Sequence, residues 1–116
     1  MNQKKARDIA PFEGYETPLC LPQLNSLLQG IAAMRKGLGQ VRCPLLLMYA
    51  VNDRVCPPEN ALRIAQDAAS EHISTRWLRM QENVTSHHML TTHRETRKIT
   101  AAAVADFVQQ RIDLPA

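Results

Sequence analysis

At 116 residues, with 45% apolar and 22% charged residues, the chain has the size and composition of one globular domain or part of one, with no room for a second core and no low-complexity tract. A net charge of +3, spread along the chain apart from a short cluster in "MNQKKAR", and five aromatics (Phe12, Tyr15, Tyr49, Trp77, Phe107) exclude the strong basic face and stacking platform of a nucleic-acid binder. No apolar run approaches the roughly 20 residues that span a bilayer. The polar start lacks the apolar core of a secretory signal. Three cysteines, Cys20, Cys43 and Cys56, without a Cys-x-x-Cys pair, read as reduced thiols in a cytoplasmic protein.

Residues 1–20 carry Pro11, Gly14 and Pro18 and no apolar period, so an irregular lead-in is expected there. From Leu21, the positions Leu24, Leu27, Leu28, Ile31, Met34 and Leu38 recur at three and four, which predicts a helix over 21–40 that stops at Gly37 and Gly39. "VRCPLLLMYA" follows, a short apolar run suited to a strand buried on both faces. "PPENALRIAQDAASEH" then predicts a helix, with proline in its first turn, Glu59 near its positive end, and Ala61, Leu62, Ala65, Ala68 and Ala69 on one side.

"STRWLRM" is the second strand, and the loop "QENVTSHHML" leads to a last helix that Thr92 and Glu95 are expected to open as a reciprocal capping box. The apolar face of that helix comprises Ile99, Ala103, Val104, Phe107, Val108 and Ile112. Residues 41–112 are thus strand, helix, strand, helix, and 21–116 form one α/β unit with a parallel strand pair. Two strands leave two edges, and "LLLMY" does not belong in water, so a further segment or a second copy of the chain is expected to extend the sheet.

In open α/β sheets, ligand-binding and catalytic groups gather beyond the carboxyl ends of the strands. Asp53 follows the first strand and His88 the second, so both loops leave at the same edge. A carboxylate there can hold one nitrogen of an imidazole and leave the other to take a proton. His72, His87, His88 and His93 do not have the spacing of a metal site, and neither metal nor cofactor is expected. Cys56, close to Asp53, reads as a small apolar residue ahead of a substitute nucleophile.

These residues carry a resemblance. "CPLLLMYAVNDRVCPPENALRIA" and "RWLRMQENVTSHHMLTTHRETRKITAAAVADFV" resemble the C-terminal part of an α/β-hydrolase, of the carboxylesterase and monoacylglycerol-lipase group, over Val41 to Gln110. Leu21 to Gln40 resembles the helix at the end of that family's cap. The resemblance implies a truncated α/β-hydrolase fold, with Asp53 in the place of the triad acid and His88 in that of the triad histidine. His87 is a rival for the second place and stands where the family has glycine. The G-x-S-x-G nucleophile elbow is absent, and Ser26, Ser70, Ser74 and Ser86 lie in other contexts. The expectation is therefore an esterase-like segment, inactive alone, that acts on small acyl esters when a Ser-bearing half completes it. The alternative is a non-catalytic module that forms a homodimer through its sheet edge and apolar helix.

Overall fold

The computed structural model describes residues 2–12, 14 and 18–112. Positions 1, 13, 15–17 and 113–116 of the expected lead-in and C-terminal unit lie outside these. In chain order the elements are α1 (Gln3–Ile9), α2 (Leu21–Gly37), a 3-10 turn (Leu38–Gln40), β1 (Leu45–Ala50), α3 (Glu59–Asp67), β2 (Ile73–Leu78) and α4 (Arg97–Ile112). The strands pair in parallel, from Leu45 opposite Ile73 to Ala50 opposite Leu78. The protein is thus of mixed α/β type, a two-stranded parallel sheet with helices.

Side chains alternate across β1, and so do its surroundings. Tyr49 lines a cleft with Ile31, Met34 and Leu38 of α2 and the 3-10 turn and with Ile64 of α3, whereas Leu46 lines one with Ala103 and Phe107 of α4. Helices therefore flank both faces, but they do not bury the strand as expected: Leu45 to Tyr49 are half-buried and only Ala50 is buried. β2 carries Ser74, Thr75 and Arg76 and is largely exposed, as suits a strand at the border of a sheet. Tyr49 and Trp77, register partners, bring their rings to 6.0 Å between centroids.

The lead-in differs from expectation. Gln3–Ile9 is helical because the Asn2 side chain accepts the Lys5 amide at 3.1 Å and because Ala6, Ile9 and Ala10 are buried. The Ile9 carbonyl accepts the Arg94 amide at 2.8 Å, which fastens this helix to the turn before α4. The expected capping box also fails to form. Helix α4 begins at Arg97, the Glu95 carboxylate accepts the Gln81 amide at 2.8 Å, and the buried Thr92 hydroxyl has no hydrogen-bond partner.

The apolar faces of the two long helices exist but are not covered. No residue of α2 is buried, with Leu27 59% and Leu28 56% exposed. On α4 only Thr100 and Ala103 are buried, while Ile99, Val104, Val108 and Ile112 stand in solvent. The radius of gyration is 16.2 Å, against about 13 Å for a compact chain of this length. Among the described residues, no helix is long and apolar enough to cross a membrane.

Candidate active site

The first loop is built at the end of β1. The Val51 amide still donates to the Leu78 carbonyl at 2.8 Å, and the chain then turns, with the Asp53 amide on the Ala50 carbonyl at 3.1 Å. Asn52 ties the two strand ends together. Its side-chain amide donates to the Met80 carbonyl at 2.8 Å, and its side-chain oxygen accepts the Met80 amide at 3.4 Å.

Asp53 folds back over the loop that follows it. Its Oδ1 accepts the amides of Val55 at 2.7 Å and Cys56 at 3.0 Å, the local pattern that short acidic side chains favour before a helix. Its second oxygen is left for a different partner. Oδ2 lies 2.8 Å from Nδ1 of His88, across 35 residues of sequence. The Asp53 side chain is only 6% exposed, so it is fixed and largely out of water, while that of His88 is 40% exposed.

Facing an ionised carboxylate, which only accepts, a neutral His88 ring carries its proton on Nδ1 and leaves the lone pair on Nε2. Among the described residues, Nε2 makes no hydrogen bond. The arrangement is an oriented, partly accessible base backed by a buried carboxylate. No serine hydroxyl among the described residues is hydrogen-bonded to it; the Ser70 hydroxyl, for example, donates to the Val41 carbonyl at 3.2 Å.

His87, the rival for the acid's partner, is turned the other way. It is 2% exposed, with its ring nitrogens on the Asn52 carbonyl at 3.0 Å and the Glu82 carbonyl at 2.6 Å. His93 is wholly buried, and His72 stands at the opposite end of the strand pair, where its carbonyl accepts the Leu45 amide at 2.9 Å. Among the described residues, no group of three or more His, Cys, Asp or Glu is arranged to hold a metal ion.

The residue that sequence reasoning missed is Glu82. Its Oε2 accepts the amides of Val84 at 2.6 Å and Thr85 at 2.9 Å, and its Oε1 accepts the Thr85 hydroxyl and Nε2 of His93 at 3.0 Å. Burial alone would push this carboxyl up. The Thr85 hydroxyl and amide, His93 and the Val84 amide more than offset it and hold Glu82 at about 2 instead of 4.5. Glu82 is the hub around which the His88 loop is wound. The one signal in the sequence was a carboxylate three residues before a threonine, a common turn pattern without a functional mark.

At Tyr49, below the acid loop, burial and then the neighbouring Cys56 push the phenol up, against a hydrogen bond with Asn60 that lowers it. That keeps the hydroxyl protonated and uncharged. No protein-family model matches the chain, and no curated protein matches it.

Proposed function

We propose that the chain carries the acid and histidine of a serine ester-hydrolase site, within a truncated α/β-hydrolase fold of the carboxylesterase and monoacylglycerol-lipase kind, and that a separate segment supplies the nucleophile. The observation that carries the reading is the 2.8 Å contact between Nδ1 of His88 and the buried Asp53 carboxylate, on a partly exposed ring at the carboxyl edge of a parallel sheet. Three unpaired cysteines support a cytoplasmic setting.

In that reading, Nε2 takes the proton of a serine hydroxyl as its oxygen adds to the ester carbonyl carbon. The resulting imidazolium, stabilised by Asp53, gives the proton to the departing alkoxide. Water then repeats the sequence on the acyl-serine, releasing the acid and restoring the serine. The substrate class is a small acyl ester.

The test is intact mass after exposure to a fluorophosphonate, which labels activated nucleophiles. The chain alone is expected to stay unmodified. Mixed with the G-x-S-x-G segment of a small esterase stripped of its own acid and histidine, it is expected to direct one adduct onto that serine. Absence of the adduct from a complex that has demonstrably formed would overturn the proposal.

A second reading, a homodimeric module, rests on a different observation. The surface is 8422 Å², whereas a compact monomer of this mass exposes about 6,400 Å². The excess of about 2,000 Å² exceeds the roughly 800 Å² that each partner gives to a standard interface. In β1 the Leu45 and Val51 amides point to β2, so by alternation those of Leu46 and Met48 face the free edge. Antiparallel pairing of this edge with its copy would make a four-stranded sheet. Sedimentation equilibrium is expected to give twice the monomer mass, falling to the monomer in Met48→Pro, which removes one edge donor. A monodisperse monomer at high concentration would end this reading.

A further inference from the structure

His87, beside the candidate base, has a backbone φ of 58°, the one positive value for a non-glycine residue among the described residues. That left-handed conformation is strained for a residue with a Cβ, and glycine would adopt it freely. What the histidine side chain does in return is visible in its partners. Nδ1 lies 3.0 Å from the carbonyl of Asn52, the residue before Asp53. Nε2 lies 2.6 Å from the Glu82 carbonyl and 3.1 Å from Glu82 Oε1.

All three of these oxygens are acceptors: two are carbonyls, and the third belongs to a carboxylate held at about 2 and so ionised at neutral pH. A neutral imidazole has one N–H and can satisfy only one side. The doubly protonated ring satisfies both, and Glu82 balances its charge inside the cluster. His93 does not compete for that role. Its Nδ1 accepts the Glu95 amide at 3.1 Å, so the neutral ring carries its proton on Nε2 and donates it to Glu82. From the loop after β1, the Asn52 carbonyl reaches the His87 ring, while Asp53 is engaged with His88 and two amides.

We propose that His87 is a positioning residue, a buried imidazolium that joins the loop of Asp53 to the loop of His88 and thereby holds the base against its carboxylate. The contact with Asn52 crosses between the loops, beside the Arg54 amide on the Ser86 carbonyl at 2.9 Å, while the contacts with Glu82 fix the ring within its own loop. The proposal deepens the reading of Asp53 and His88 as a working pair and rests on it, but its test needs no ester hydrolysis.

The experiment is long-range proton–nitrogen correlation NMR of the histidine rings in the intact, nitrogen-15-labelled chain. In the native protein at pH 7, both His87 nitrogens are expected at protonated shifts, with His88 in the single Nδ1–H form. In His87→Gly, which suits the backbone and removes the ring, His88 is expected to move to averaged shifts of a mixed tautomer, with Trp77 fluorescence unchanged. In Glu82→Gln, one His87 nitrogen is expected to lose its proton at pH 7.

A bare His87 nitrogen in the native protein at pH 7, or a fixed Nδ1–H on His88 in folded His87→Gly, would overturn the proposal. Should His87→Gly not fold, the native spectrum and that of Glu82→Gln decide it. Failure to label a serine in the fluorophosphonate experiment would leave these ring shifts where they are, so the two ideas fail separately.

Discussion

His88→Ala is expected to lower kcat for a short acyl ester by on the order of 10⁶ in the protein completed with a Ser-bearing segment, and Asp53→Asn by on the order of 10⁴, with KM nearly unchanged. The smaller loss has a specific cause. Asparagine can keep the two amide bonds that Asp53 Oδ1 makes to Val55 and Cys56, so the loop holds its shape. Its side-chain nitrogen, however, then faces His88 as a donor where a carboxylate accepted. The ring answers by moving its proton to Nε2, the atom that must act as base. The double variant should be no slower than His88→Ala alone, because an orienting group has nothing to orient once the base is gone. Single-turnover acylation of the serine, followed with a chromogenic ester, reads all three. Equal rates for Asp53→Asn and the native chain would remove the aspartate from the mechanism.

Why the pair was legible and its support was not follows from the kind of signal each leaves. Asp53 and His88 follow apolar runs, and the carboxyl ends of parallel strands lie at one edge whatever the details of the loops. Strand and helix order therefore brought the two loops together without knowledge of a single contact. The α2 and α4 faces were legible as spacing, yet spacing reports what a helix can bury and not whether a partner is there. Leu27, Leu28, Val104 and Val108 remain exposed because no described part of this chain reaches them. Helix α1 escaped notice because seven residues carry too little periodicity, and what makes it is a cap at Asn2 and an anchor at Arg94. Thr92 and Glu95 had the right spacing for a cap, but Gln81 took the carboxylate. Asn52 left no pattern and Glu82 only a common turn spacing, since both act through hydrogen bonds to a loop whose path the sequence does not state.

Glu82 should make the stability of the protein fall steeply in acid. Its carboxyl is held at about 2 against an ordinary 4.5, so the folded form prefers the ionised state and the unfolded form gives that preference up. A depressed carboxylate contributes its stability in full above pH 4.5 and loses it as the pH falls from there towards 2. A displacement of this size corresponds to about 3 kcal/mol, a large share of the 5 to 15 kcal/mol that a typical domain has and a larger one here, where two helices leave their apolar faces open. Urea unfolding at pH 6 and pH 3 is expected to show most of that difference in the native chain. Glu82→Gln should start lower at pH 6, because the amide cannot accept as strongly from Thr85, His93 and two backbone amides, and it should flatten the dependence between the two pH values. An unchanged acid slope in Glu82→Gln would assign the loss to other carboxylates. The same variant bears on the site, because the loop that Glu82 organises, from Val84 to His93, carries His88 against Asp53; stability in acid and the geometry of the base are therefore expected to decline over the same pH range.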